Sequence, residues 1–216
     1  MSWQSESDPR PPSRTRAKWL VMPALALALA GFALVLRGLW IPAKAWAAQQ
    51  MIERAWSDVV AGRSEVRPWP WADTWPVARL HLPGAGSPLY VLAGASGQSL
   101  AFGPAHVSAS ARPGEPDNVV FAGHRDTHFA TLRHLSPGAE IFVESMTGSI
   151  HYRVDEAEVV HESRVDLLER TGRSELTLIT CYPFDSIVPG GPLRYVVHAS
   201  AIDPHPHPPP TSTFQP

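Results

Sequence analysis

Only one of the 216 residues is a cysteine, Cys181. A lone thiol excludes an internal disulfide framework and a C-x-x-C zinc site, because neither can be built from one sulfur. Cys181 is therefore either a small buried apolar residue or a reactive group. An excess of charge of one sign is also missing. Eighteen Lys and Arg stand against 20 Asp and Glu, a net charge of −2. That balance implies neither a general nucleic-acid surface nor one for acidic substrates. No internal repeat is visible. What is present, 44% hydrophobic and 18% charged residues, suits one ordinary folded domain with extra segments. Proline is abundant, with 23 residues, roughly twice the usual share of about 5%. The prolines gather in the N-terminal tail, in the linker after the first helices and in the C-terminal tail, and so mark edges.

The stretch from Trp19 to Leu36, WLVMPALALALAGFALVL, carries no charge. Its 18 residues as a helix rise about 27 Å, close to the hydrocarbon thickness of a bilayer. Trp19 and Trp40 flank it as interfacial aromatics do. Arg10, Arg14, Arg16 and Lys18 precede it, and only Arg37 and Lys44 follow nearby. The positive-inside rule then predicts a cytoplasmic N-terminus and an extracytoplasmic remainder, held by an anchor over 19–41. A cleavable signal peptide is the alternative, with small residues in AKAWAAQQ as its cleavage site. The apolar run is longer than a signal core, and Arg37 and Trp40 intervene. For an exported chain, an unpaired cysteine is a candidate reactive thiol.

Residues 1–18 are polar and Pro-rich and are expected to be disordered. Ala43 to Ala61 reads as a helix, with Ala45, Ala48, Ile52, Ala55, Trp56 and Val59 at spacings of three and four and Gly62 as its stop. It forms a stalk over 43–76 together with the Pro/Trp-rich linker RPWPWADTWP. From Val77 the texture changes to short strand-like runs: VARLHLP, PLYVLAG, NVVFAG, EIFVES, IHYRVDEAEVV, ELTLITC and LRYVVHASAI, with MTGS as a hairpin turn. Such a pattern predicts an all-β sandwich or barrel over 77–202, and periodicity does not choose between the two. The tail over 203–216 is polyproline-like. Its His205 and His207 belong to a solvated segment rather than to a metal site.

Three chemically useful side chains fall at strand ends. His124 follows NVVFAG, Cys181 ends ELTLITC, and Arg194 opens the last strand. Rigid strands can hold such groups beside variable loops. A thiolate is a nucleophile whose pKa falls beside positive charge. A histidine supplies that charge and moves protons. An arginine can donate hydrogen bonds to a developing oxyanion. Together they describe acyl transfer through a thioester. Taken singly, each has a plain structural explanation: an inert buried cysteine, a structural histidine, a solvated arginine. The spacing does not prove convergence. A metal site is a weaker explanation. His124 and His128 form an H-x3-H pair, but Arg125 stands where a zinc protease motif needs Glu, so no metal and no cofactor is expected.

Three segments resemble a known family. TLITC (Thr177 to Cys181) resembles the T-L-x-T-C signature of sortases, the membrane-anchored cysteine transpeptidases. PGEPDNVVFAGHRDTHF (Pro113 to Phe129) is similar to the sortase segment that delivers the catalytic histidine. TCYPF followed by PLRYVV resembles the stretch between nucleophile and arginine. The likeness covers Val77 to Ile202 and is strongest to single-anchor sortases of Gram-negative bacteria, related in pattern to classes D and E. It implies an eight-stranded β-barrel, with His124, Cys181 and Arg194 as catalytic residues. It places Thr180 beside the substrate carbonyl. It implies as partners an exported protein with an LPxTG-like sorting signal and an amine acceptor, with hydrolysis as a side reaction, and it implies an inner-membrane anchor with a periplasmic catalytic domain.

Two other classes fit parts of this pattern. An L,D-transpeptidase also has His before Cys in an exported β-domain, but calls for a Ser-x-Gly-Cys-x-Arg cluster that is absent around Cys181. A membrane-anchored binding domain without catalysis would not need all three of His124, Cys181 and Arg194.

Overall fold

A computed structural model of the chain describes residues 14–203 except 187 and 189. The N-terminal residues 1–13 and the tail 204–216, including His205 and His207, lie outside the described residues. The chain divides into two compact units, the first ending at Trp46 and the second beginning at Ala47.

A single helix, α1, runs from Arg14 to Val60 and contains Pro23 and Pro42. It begins inside the stretch expected to be disordered, because Arg, Ala and Lys are good helix formers that extend a helix already nucleated by the apolar run. It also continues through Pro42, where the sequence divided anchor from stalk. Proline removes one backbone hydrogen bond, a loss that a helix of 47 residues absorbs without ending. The stretch from Val21 onward is long and apolar enough to cross a membrane, with a mean hydropathy of 2.1 in its most apolar window and none of that window buried.

In the second unit, the last turns of α1 bury Ala48, Ile52, Ala55, Trp56 and Val59, which recur at helical spacing. Ala48 and Ile52 form a satellite core with Trp69, Ala72 and Leu92, and Trp69 meets the Phe102 ring edge-on at 5.0 Å. The Pro/Trp-rich linker thus packs on the domain through Trp69 and Ala72.

The rest is a closed eight-stranded barrel. Its elements are β1 (Pro76–His81), β2 (Leu89–Ala93), a short helix α2 (Gly97–Phe102), β3 (Ala105–His106), β4 (Asn118–Ala122), β5 (Glu140–Ser145), β6 (Gly148–His161), β7 (Glu175–Tyr182) and β8 (Leu193–Ala201), with 3-10 turns at Ala130–His134 and Val165–Leu168. Around the barrel the order is β1-β2-β3-β4-β7-β8-β6-β5. Seven of these strands correspond to runs legible in the sequence. The eighth, β3, is two residues long. It pairs parallel with β2 and antiparallel with β4, and so closes the ring without showing any alternation.

Alternation along the strands builds the core. Val119 and Phe121 of β4, Leu176 and Leu178 of β7, and Val197 and Ala199 of β8 point inward and join Ile141, Val143, Ile150 and Tyr152. Burying each such large side chain stabilises the fold by about 1.5–3 kcal/mol. The period of two sends the intervening residues of β4, β7 and β8 to the outer face. That set includes Ala122, Ile179, Cys181, Arg194 and Val196.

Candidate active site

The three strands β4, β7 and β8 are neighbours, and their register decides what meets at their shared end. β4 and β7 run parallel, with Ala122 opposite Ile179 as their last pair. Two residues further along each chain lie His124, just beyond the end of β4, and Cys181, near the end of β7. β7 and β8 run antiparallel, and Cys181 is directly opposite Arg194. Adjacent strands are about 4.8 Å apart. His124, Cys181 and Arg194 therefore come from one end of these three neighbouring strands, with Cys181 and Arg194 paired on the outer face.

Their surroundings differ. Cys181 is partly exposed and unpaired. His124 is exposed. The Arg194 guanidinium donates from Nη1 to the carbonyls of Gly191 (2.7 Å) and Leu193 (2.9 Å), and from Nη2 to the Glu162 carboxylate at 2.6 Å. A guanidinium has five N–H donors, so two have no acceptor among the described residues. Thr180 is buried, and its hydroxyl donates to the Gly123 carbonyl at 2.7 Å. That bond ties the residue before Cys181 to the residue before His124.

Gly123 occupies its position for a steric reason. A Cβ added there would lie 2.7 Å from two ring carbons of Phe129, and Phe129 is fully buried in the core. The Gly123 amide donates to the Ile179 carbonyl at 3.1 Å, and the Phe129 amide donates to the His124 carbonyl at 3.0 Å. The turn after His124 thereby folds back onto the barrel.

His128 lies in that turn. Burial lowers its imidazole pKa, the neighbouring His124 charge lowers it further, and Asp126 opposes both. Among the described residues no three His, Cys, Asp or Glu side chains converge in a set that could hold a metal ion. Beneath the site, Tyr182, Phe184 and Tyr195 form an aromatic cluster with centroids 5.1 to 6.4 Å apart. Arg133 stacks over Phe184 at 4.8 Å.

Several participants were not visible in the sequence. Glu162, the partner of Arg194, lies 32 residues away in the chain. Arg125 is buried and donates to the carbonyls of Ser186 and Val188. Asn118 holds the loop between β6 and β7 by donating to the carbonyls of Leu167 and Glu169, both at 3.0 Å, while accepting from the Thr177 hydroxyl at 2.9 Å. Beside it, the Asp117 carboxylate accepts from the amides of Asn118, Thr171 and Gly172. The Asn118, Gly172 and Thr171 amides and the Arg170 charge hold its pKa below the usual carboxylate range. The only sequence signal for these tethers was the loop ARPGEPD leading straight into the β4 strand.

Comparison with known proteins agrees with the barrel. The chain is 28% identical over 124 residues to sortase D of Bacillus subtilis (strain 168), covering 57% of this chain and 62% of that relative, so it spans less than two thirds of the relative's length. Among solved structures, a sortase D5 transpeptidase of Clostridium perfringens is 27% identical with a TM-score of 0.52, over 60% of this chain and 80% of that one. Sortase C-1 from Actinomyces oris is 28% identical with a TM-score of 0.53, over 59% of this chain and 75% of that one. The Sortase domain pattern matches residues 80–202. That match begins inside β1 and ends just past β8, taking in nearly the whole barrel and more than half of the chain, and the protein belongs to the sortase family.

Proposed function

We propose that the protein is a membrane-anchored cysteine transpeptidase that cleaves an LPxTG-like sorting signal of an exported protein and transfers the acyl part to an amine. The observation that supports this proposal is the register that pairs Cys181 with Arg194 and ends β4, two residues before His124, against Ile179, two residues before Cys181. In the first step the Cys181 Sγ thiolate attacks the carbonyl carbon of the scissile peptide. A C–S bond forms and the oxygen takes the negative charge. The free N–H groups of Arg194 donate to that oxygen. The C–N bond then breaks, and His124 gives its proton to the leaving amine. In the second step an amine acceptor attacks the thioester and His124 takes its proton. A new C–N bond forms as the C–S bond breaks, returning the thiolate. Water in place of the amine gives hydrolysis. Thr180 serves the substrate site through Gly123. Its single hydroxyl proton is already on the Gly123 carbonyl, so a substrate carbonyl must compete for it.

The catalytic domain spans 77–202, behind an anchor over 19–41 and a stalk over 43–76. The excess of Arg and Lys before Trp19 supports a cytoplasmic N-terminus and a periplasmic barrel held at the inner membrane. The test is peptide cleavage and transpeptidation by single variants, each checked for folding by circular dichroism. Cys181→Ala is expected to be inactive and folded. His124→Ala is expected to lose about 10²-fold or more, the usual contribution of a general acid–base group. His128→Ala and His134→Ala are expected to lose much less. Retained cleavage by a folded Cys181→Ala, or a dead His128→Ala beside a working His124→Ala, overturns the assignment.

A further inference from the structure

We propose that Arg125 is a positioning residue for His124, a buried guanidinium that locks the histidine-bearing segment to the loop between β7 and β8. The proposal rests on the catalytic role given above to His124.

Arg125 is only 7% exposed. Arginine is almost never this buried unless a carboxylate pairs with it. Here its hydrogen-bond partners are two backbone carbonyls, Ser186 at 2.9 Å and Val188 at 2.7 Å, both taken by Nη2. Nη1 is buried and has no partner among the described residues. A buried charge with an unmet donor destabilises the fold relative to an apolar side chain of similar volume. Packing alone does not account for an arginine at this position.

The chain positions of its partners supply a reason. Arg125 follows His124 directly. Ser186 and Val188 lie in the segment that leaves Cys181 on β7 and returns to Arg194 on β8. One side chain thus connects the histidine segment to the loop that joins the other two candidate residues. On the other side of His124, the Gly123 carbonyl takes the Thr180 hydroxyl and the Gly123 amide takes the Ile179 carbonyl. His124 is itself exposed. Its imidazole is therefore aimed through its backbone, which is held at Gly123 by β7 and at Arg125 by the β7–β8 loop.

Aim matters here because proton transfer requires heavy atoms about 2.6–3.2 Å apart, and a displacement of about 1 Å costs on the order of 10²-fold in rate. Both carbonyls are taken by the two N–H groups of one nitrogen, Nη2, whose directions are fixed by the planar guanidinium. A lysine ammonium keeps the charge, but its donors rotate freely on a shorter stem and do not hold that planar direction.

The experiment uses the full-length chain and iodoacetamide, a probe of Cys181 that needs no knowledge of the substrate. Alkylation rate is measured against pH for the wild type, Arg125→Gln, Arg125→Lys, His124→Ala and the Arg125→Gln/His124→Ala double variant. Thermal melts of each are recorded. His124→Ala is expected to displace the profile, because the imidazole beside the thiol is gone. Arg125→Gln is expected to displace it in the same direction by at least half as much. Arg125→Lys should behave like Arg125→Gln, and adding Arg125→Gln to His124→Ala should move nothing further.

A wild-type profile in Arg125→Gln beside a displaced His124→Ala overturns the proposal and leaves the catalytic assignment standing. So does a double variant displaced by the sum of the two singles. An undisplaced His124→Ala overturns the catalytic assignment and, with it, the role given to Arg125. If Arg125→Gln does not fold, the charge-keeping Arg125→Lys is read in its place. Failure of both to fold makes Arg125 a structural residue and overturns the proposal.

Discussion

Gly123→Ala is the smallest change that should disturb the candidate site. The added Cβ would lie 2.7 Å from Cδ2 and Cγ of Phe129 and 3.1 Å from Cε2. Carbon atoms rest about 3.5–4.0 Å apart, so a gap of about 1 Å has to open. Phe129 cannot retreat, because it is fully buried within the main core and packed interiors are nearly incompressible. Gly123 must lift instead, against its bonds to Ile179 and Thr180 at 3.1 and 2.7 Å. Overpacking of this kind costs about 1–3 kcal/mol. For a domain of this size each kcal/mol lowers Tm by about 2–4 °C, so the expected drop is about 2–12 °C. Lifting Gly123 carries His124 with it, and a shift of about 1 Å is expected to reduce turnover on the order of 10²-fold. Melts followed by circular dichroism and peptide cleavage rates give both numbers. Phe129→Leu in the Gly123→Ala background provides the control. If the clash is the cause, the pair is less damaging than the sum of the single variants, by about 0.5–3 kcal/mol for groups in contact. Wild-type melting and turnover in Gly123→Ala, or strict additivity with Phe129→Leu, would refute the reasoning.

Thr180→Val keeps the side-chain volume and removes the hydroxyl that reaches Gly123. The expected cost is about 1–3 kcal/mol for the carbonyl left without its donor, with slower peptide cleavage, while Thr180→Ser stays close to wild type. Equal behaviour of the Val and Ser variants in melts and cleavage would count against the bond. Asp117 yields a pH prediction. Its folded pKa is depressed, so its stabilising contribution is fully present above the unfolded value of about 3.9 and is lost as pH falls through the folded pKa. Asp117→Asn should melt below wild type at neutral pH, with the gap closing in acid below about pH 4. A gap that does not change with pH would show that the charge of Asp117 does not hold the β6–β7 loop.

Much of the fold was legible because alternation is a local signal. The run ELTLITC buries Leu176 and Leu178 and sends Cys181 to the outer face, as a period of two requires. The apolar run after Trp19 needs no tertiary contact to be read as a membrane-spanning helix. β3 was not legible, since two residues cannot display a period, and neither was the passage of α1 through Pro42. The same locality explains what was missed near the site. In sequence Arg125 stands out only as the residue that breaks a zinc-protease motif, because its partners Ser186 and Val188 lie some 60 positions away. Glu162 gives no sign of Arg194 until β6 and β8 pair and bring Val160 opposite it.

The sequence by itself determined the apolar helix, the β character of the region from Val77 and the residue types at three strand ends, because propensity and periodicity act between near neighbours. The sortase resemblance also implied the eight-stranded barrel, but the tertiary structure alone decided its strand order and register, which pair Cys181 with Arg194, and the hydrogen bonds of Arg125 to Ser186 and Val188 and of Thr180 to Gly123. Strand order and register are settled by burial and hydrogen bonding between residues far apart in the chain, and no local pattern contains them.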